Sequence, residues 1–262
     1  MEERRQVGLN RRGLIVIIFD DERIDDLQYK NLHIIQKKDG FCFGIDAVLL
    51  SHFANIKTGD KVVDLGTGTG IIPILIAGHT LADNIVGVEI QENIANMARR
   101  SVTMNKLDGR VTILNDDIKH IDRVLCHNSF DVVVTNPPYI KVNGGLINEK
   151  DTKAISRHEV LCTLEDVIRV SERVLKHGGR FCMVNRPDRL VDIMVLMRKY
   201  HIEPKSMRMV YPKKKSMANL VLIMGKKGAK SELRVMNPLY VYDDSGAFTK
   251  EIDYIYNRRE DF

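Results

Sequence analysis

The residues best suited to chemistry in this chain are Asn136-Pro137-Pro138-Tyr139, directly after the run Asp131-Val132-Val133-Val134-Thr135. The valines read as a buried strand. Two prolines end it abruptly, since neither can donate a ladder hydrogen bond and each biases its predecessor towards an extended conformation. The corner presents the Asn136 carboxamide, the Pro137 carbonyl and the Tyr139 ring, a set that can hold a planar amino group by its hydrogens and stack on one face. The nitrogen of such a group is a poor nucleophile because its lone pair is delocalised into the adjoining π system. Accepting both N–H hydrogens, at the Asn136 side-chain oxygen and the Pro137 carbonyl, lets the nitrogen turn pyramidal and offer its lone pair to an electrophile. No strong general base is then required. An Asn-Pro turn alone is a common strand terminator; the full set after a buried strand is much rarer by chance.

A second chemical element is Gly66-Thr67-Gly68-Thr69-Gly70, between a strand at Lys61-Val62-Val63-Asp64-Leu65 and a helix opening at Ile71. Its glycines let the backbone approach a ligand closely, and the helix start offers free N–H groups. Ile71 stands where the third glycine of a dinucleotide fingerprint belongs, and no Gly-Lys-Ser/Thr follows, so neither NAD nor ATP is the first choice. A second strand, Ile85 to Glu89, ends in an acid about 20 residues beyond the glycines, where a carboxylate can accept ribose hydroxyls. A third, Arg110 to Leu114, ends at Asn115-Asp116-Asp117-Ile118, where an acid can accept the amine of an adenine packed between Ile90 and Ile118. Glu89 and Asp117 are the better ligand candidates; Asp116 reads as a cap or a solvated charge. The pocket is that of an adenosine without a phosphate anchor, laid along the carboxyl edge of a parallel sheet.

The elements that must position these residues follow from the rest of the pattern. With 262 residues the chain supports one large α/β domain with a small addition. Residues 1–57 are expected to form an arm, a hairpin and a helix packed on a core domain of residues 58–262. Arg4, Arg5, Arg11 and Arg12 mark a flexible basic arm. Leu32 to Phe43 alternates around Asp39-Gly40, a hairpin signal, and Asp46 is placed to cap a helix from Gly44 to Ala54. Further on, Thr163 to Lys176 reads as an amphipathic helix broken by Gly178-Gly179, Arg180 to Val184 as a fifth strand and Leu190 to Tyr200 as a helix. Strands near Lys205 to Tyr211 and Leu220 to Gly225 form an antiparallel addition. The four cysteines, Cys42, Cys126, Cys162 and Cys182, form no C-x-x-C pair, which excludes a zinc ribbon or disulfide framework and suggests reduced, buried thiols. The charged start and the short apolar run from Leu14 to Phe19 provide neither a signal core nor a membrane span, so a cytoplasmic protein is expected.

Asp64-Leu65-Gly66-Thr67-Gly68-Thr69-Gly70, Glu89, Asp117 and Asn136-Pro137-Pro138-Tyr139 together resemble the class I S-adenosylmethionine-dependent methyltransferases that act on amino groups, with a Rossmann-like, mostly parallel sheet. Further segments, Phe43 to Leu50, Gly87 to Gln91, Arg157-His158-Glu159, Tyr211-Pro212-Lys213 and Ala218 to Val221, resemble the bacterial valine-tRNA adenine-N6 methyltransferase family. The resemblance runs from about Leu32 to about Ile252. It implies that Asp64, Gly66, Gly68, Gly70, Glu89, Ile90, Asp117, Ile118 and Asp46 bind S-adenosylmethionine, that Asn136 and Pro137 hold the acceptor nitrogen, and that Tyr139 stacks on the target base. It implies a tRNA substrate, an adenine in the anticodon loop, and no metal, covalent intermediate or obligate protein partner.

For a polymer substrate, Pro204 to Ser231 holds eight basic residues and no acidic one, and the net charge of the chain is +5. Lys213, Lys214 and Lys215 in a loop, with Arg157 near the catalytic corner, are the candidate RNA contacts. A protein-glutamine N5-methyltransferase needs the same Asn136 corner, but only about sixty residues precede the glycine loop, too few for the helical substrate domain of such enzymes. An N-methyltransferase acting on rRNA is a further alternative. A non-enzymatic RNA-binding module is disfavoured by the intact glycine loop with Glu89 and Asn136.

Overall fold

The computed structural model describes residues 4–9, 15–39, 44–137 and 162–258. In the N-terminal part, β1 (Arg4–Leu9) pairs antiparallel with β2 (Ile15–Phe19), and β3 (Glu22–Asp26) with β4 (His33–Lys37). One expectation changes here. The basic segment from Arg4 is a strand rather than a flexible arm, because β2 supplies its ladder partner. The strand before Asp39 also pairs upstream, with β3 across the turn between Asp26 and His33; the second arm of the expected Asp39-Gly40 hairpin, residues 40–43, lies outside the described residues. Local alternation marks a strand but not which neighbour it chooses.

Helix α1 (Ile45–Phe53) leads to β5 (Lys61–Leu65), α2 (Ile71–His79), β6 (Asn84–Glu89), α3 (Glu92–Met104), β7 (Val111–Asn115) and β8 (Phe130–Thr135). After the undescribed segment come α4 (Leu164–Val174), β9 (Leu175–Asn185), α5 (Leu190–Lys199), β10 (Ile202–Tyr211), β11 (Leu220–Lys227), the short strands β12 (Arg234–Val235) and β13 (Leu239–Tyr240), and α6 (Lys250–Ile255). One nine-stranded sheet runs β12-β10-β11-β9-β8-β5-β6-β7, with β13 also on β10. Strands β5 to β9 are mutually parallel, and β11 is antiparallel to both its neighbours. The fold is therefore the α/β class read from the sequence.

Val62, Val63, Val132, Val133 and Val134 have no exposed surface, because a parallel strand is covered on both faces. One face packs on α1 and α2 through Leu50, Ile74 and Ile76, the other on α4 and α5 through Ile168, Ile193 and Met197. Thr163 and Asp166 form a reciprocal capping box at the start of α4. That helix ends at Val174, earlier than its pattern suggests. Gly178 and Gly179 do not break a helix but lie inside β9, where the register shifts against β8 and Gly178 takes φ 76°. Burial pushes the Cys162 and Cys182 thiols up to about 12, as inert thiols require, but Cys126 is exposed, contrary to expectation. No helix among the described residues is long and apolar enough to cross a membrane.

A buried ion pair ties the N-terminal hairpins to the core. Arg100 in α3 donates to both Glu22 oxygens at 2.7 and 2.6 Å and to the Ile17 carbonyl at 2.6 Å, with its guanidinium 4.8 Å from the Phe19 ring centroid. Burial pushes the Glu22 carboxyl pKa up, but Arg100 and the Phe19 N–H outweigh that and hold it below the ordinary carboxylate value. Removing one member leaves the other charge stranded. Glu22→Gln should therefore cost about 2–4 kcal/mol in urea unfolding, whereas a loss below about 0.5 kcal/mol, the scale of an exposed pair, would show that the guanidinium is solvated.

Candidate active site

Strands β5, β6, β7 and β8 all end at one edge of the sheet, and each is followed there by a residue with chemistry to offer: Gly66, Ile90, Asp116 and Asn136. From β5 the chain winds outwards to β6 and β7, then returns to place β8 on the other side of β5. The crevice at that reversal, between the glycine turn and Asn136, is where open parallel sheets bind ligands.

The glycine turn is built for close approach. Gly66, Gly68 and Gly70 have φ of 80°, 56° and 88°, in the left-handed region. Gly70 is constrained twice, because a Cβ there would come within 3.2 Å of Ala98 in α3. At Gly68 a Cβ would meet nothing within 4 Å, which leaves open space over the turn. The turn is tied down by Gly66 and Thr67 N–H groups donating to the Val88 carbonyl at 3.0 and 2.9 Å.

Glu89 is buried at the end of β6, and both carboxylate oxygens are oriented by backbone. Gly68 N–H donates to Oε2 at 3.0 Å and Gln91 N–H to Oε1 at 2.9 Å. Asn115, at the end of β7, donates to the carbonyls of Glu89 and Ile90 at 2.9 and 3.0 Å, so it sets the exit of β6. Asp117 proves to be the cap of the next 3-10 turn, its Oδ1 accepting from Lys119 N–H at 2.9 Å. The capping role expected for Asp116 thus belongs to its neighbour, while Asp116 Oδ1 accepts from Asp117 N–H at 2.7 Å. Ile118 follows with its Cδ1 3.8 Å from the position of a Gly66 Cβ, placing an apolar side chain against the glycine turn.

Asp64 is fully buried beneath the turn. Among the described residues neither of its oxygens receives a hydrogen bond of normal geometry, and the same holds for the buried Thr67 hydroxyl. Burial pushes the Asp64 carboxyl up to about 7; the nearby Thr67 hydroxyl pulls it down in part, and the Glu89 charge raises it further. A desolvated carboxylate at the root of a glycine turn with open space over Gly68 suits a cationic ligand. S-adenosylmethionine carries such charge at its sulfonium and ammonium, so the donor set fits it.

At the other wall, Thr135 has no exposed surface, and its hydroxyl donates to the Leu65 carbonyl at 2.8 Å, which locks the end of β8 to the end of β5. Asn136 follows, half-buried, and its Nδ2 donates to Asp46 Oδ2 at 3.0 Å. Asp46 is not the N-cap of α1; Gly44 holds that position, and Asp46 sits one residue inside the helix, buried, with Oδ1 accepting from Ala47 N–H at 3.0 Å. Its carboxylate is directed at the catalytic corner instead. A carboxylate that only accepts fixes which end of the Asn136 carboxamide is NH2. Sequence reasoning missed Thr135, Asn115 and Thr67; a polar residue at each strand end was the available signal. Pro137 is described and half-buried, whereas Pro138, Tyr139 and Arg157 lie outside the described residues.

Lys213, Lys214 and Lys215 are exposed in the turn between β10 and β11, with Lys215 at φ 65°. Because β11 runs antiparallel, Leu220 starts beside the end of β9, and this turn falls on the same edge as Asn136. The wider basic run is not one-signed in space. Arg208 grips both Glu251 oxygens at 2.6 and 2.8 Å, Lys227 meets Glu172 at 2.9 Å and Lys205 meets Glu232 at 3.7 Å.

The family model described as methyltransferase small domain matches residues 38–199. A Bacteroides thetaiotaomicron protein named tRNA1(Val) (adenine(37)-N6)-methyltransferase is 28% identical over 67% of this chain and 72% of its own length. An Aeromonas salmonicida protein of the same name is 24% identical over 76% of this chain and 83% of its own. Among solved structures, a predicted O-methyltransferase from Agrobacterium tumefaciens superposes with a TM-score of 0.68 at 22% identity, covering 83% of this chain and 98% of that one, which is a likeness of fold.

The buried Asp64 carboxyl gives a pH-dependent prediction. A folded-state pKa raised from 3.8 to about 7 favours the fold below the unfolded value and loses that contribution as pH rises towards 7. Asp64→Asn cannot ionise, so its melting temperature relative to the wild type, both without ligand, should climb between about pH 4 and 7 and level off above. A gap independent of pH would place Asp64 in solvated surroundings.

Proposed function

Since the chain belongs to the methyltransferase small-domain family, we propose that this S-adenosylmethionine-dependent methyltransferase acts on the N6 amino group of an adenine in tRNA, within the anticodon loop of a valine tRNA. The observation that carries the acceptor chemistry is the Asn136 carboxamide fixed by Asp46 across the crevice from the glycine turn. The choice of tRNA and of adenine is supported by the names of the relatives, at 24–28% identity.

Bound S-adenosylmethionine supplies the electrophile, a methyl group on positively charged sulfur. Gly66, Gly68 and Gly70 let the backbone pass close to it, and Asp64 gives the site negative charge. Glu89, its oxygens already aligned by Gly68 and Gln91 N–H, accepts from the ribose hydroxyls. Asp117 accepts from the adenine amine of the cofactor, and Ile90 and Ile118 pack on the faces of that ring.

At the acceptor, Asn136 Oδ1 and the Pro137 carbonyl take the two N6 hydrogens. Because Asp46 holds Nδ2, Oδ1 is the accepting end of a carboxamide whose orientation is already set, and the amine meets it without reorganisation at the moment of transfer. The two carbonyl oxygens would favour the pyramidal nitrogen, and the surplus proton of the methylated amine would pass to solvent. Positioning and polarisation together supply the rate enhancement. Tyr139 stacks on the target base, which must leave its own stack at roughly a few kcal/mol, less from a loop than from a duplex.

Labelled S-adenosylmethionine with bulk unmodified tRNA, followed by nucleoside analysis, tests this reading. The wild type should yield N6-methyladenosine, and Asn136→Ala should lose about a hundredfold or more in rate while still binding the cofactor. Label in a protein fraction with tRNA unlabelled would replace this reading with glutamine methylation.

A further inference from the structure

The C-terminal segment brings a stack of aromatic rings to the edge of the sheet that carries Asn136. Strand β13 adds parallel to the end of β10, with Tyr240 opposite Tyr211, and Tyr242 N–H then donates to the Pro212 carbonyl at 2.8 Å. Tyr242 is therefore pinned beside the turn that displays Lys213, Lys214 and Lys215. A tight turn follows, in which Asp243 Oδ1 accepts from Ser245 N–H at 2.9 Å and Ala247 N–H at 3.1 Å, and Gly246 takes φ 87°. This turn returns the chain so that Tyr242 and Phe248 form a bridge.

The Tyr242 and Phe248 rings stack 5.3 Å apart at 15°, and Phe248 stacks on Tyr256 at 5.8 Å and 14°. Arg258 lies over both inner rings, 5.3 and 4.9 Å from their centroids, and is itself held by Asp253 at 3.6 Å. The inner end of the ladder is anchored in the core: Ile252 and Ile255 bury α6 against α1, and burial raises the Tyr256 hydroxyl above its ordinary value. The outer end does not finish in the core. Tyr242 is 42% exposed, although its neighbours in the stack are half-buried.

Three parallel rings leading from the core side of α6 to a turn of three exposed lysines, on the sheet edge that carries Asn136, combine the two elements of single-strand recognition, a stacking platform and phosphate-neutralising cations. Packing alone explains Phe248 and Tyr256, but not an open tyrosine face beside lysines. Resting on the RNA reading above, we propose that Tyr242, backed by Phe248 and Tyr256, stacks an unpaired nucleotide flanking the target adenine, while Lys213, Lys214 and Lys215 hold the backbone of the same strand. A loop that surrenders its target base loses a stacking partner on either side, and Tyr242 replaces one of them. The substrate class that follows is a loop or single strand with an accessible base next to the methylated one, and duplex RNA is excluded.

The test uses the full chain and an unmodified RNA stem–loop carrying 2-aminopurine beside the loop adenine. Binding of wild type or Tyr242→Phe should quench the probe. Tyr242→Ala should abolish the quench and weaken binding roughly 5- to 100-fold, with cofactor affinity and melting temperature unchanged. Replacing Lys213, Lys214 and Lys215 by Ala should lower the slope of log affinity against log salt by about 2–3. Wild-type affinity and quenching in Tyr242→Ala, alongside intact RNA methylation, would overturn this inference and leave the acceptor assignment standing. A wild type that neither binds nor methylates RNA would overturn both.

Discussion

A fully buried carboxylate that receives no hydrogen bond of normal geometry among the described residues sets the terms for the rest of this structure. Asp64 lies at the end of a central strand, beneath a turn made of three left-handed glycines, and its own surroundings push its pKa up to about 7. Left alone, such a group destabilises the fold once ionised. The fold tolerates it because the valines of β5 and β8 are sealed on both sides by helices, so the strand end is held even though its last acidic side chain is unsatisfied. A cation beside Asp64 would relieve that penalty, which is how the proposed cofactor site would draw on the core.

Everything else at the site is arranged by bonds between strand ends. Thr135 joins β8 to β5, Asn115 joins β7 to β6, and Gly68 N–H joins the glycine turn to Glu89. These contacts place Gly68, Glu89 and Asn136 along one crevice at the reversal of strand order. Asp46 adds the remaining constraint. It reaches from α1 to the Asn136 amide, so the helix that precedes the glycine turn also orients the group that would meet the substrate. The aromatic ladder extends the same edge outwards, from the buried face of α6 to the lysine turn.

Much of this was legible in the sequence, because the signals are local. Valine runs between glycines and prolines identify buried parallel strands, and the spacing from Gly66 to Glu89 to Asp117 to Asn136 follows strand by strand. What could not be read is non-local. The pairing of β4 with β3, upstream, is one such feature. The β9 glycines mark a register shift that only its pairing with β8 reveals. Arg208, Lys205 and Lys227 look like free charge until acidic residues outside their own run pair with them. Asp46 reads as a helix cap since capping is the commonest local use of an aspartate there, and its bond to a residue 90 positions away leaves no trace in spacing. The C-terminal ring stack depends likewise on a return of the chain between Tyr242 and Phe248.

Proton release on cofactor binding measures the charge of Asp64 directly. Calorimetric titration with S-adenosylmethionine near pH 7, in two buffers of different ionisation enthalpy, should show about half a proton more released by wild type than by Asp64→Asn, as the carboxyl gives up its proton to a bound cation. Equal proton release by the two proteins would mean that Asp64 is already ionised or never ionises. The buried carboxylate would then have no part in holding the cofactor.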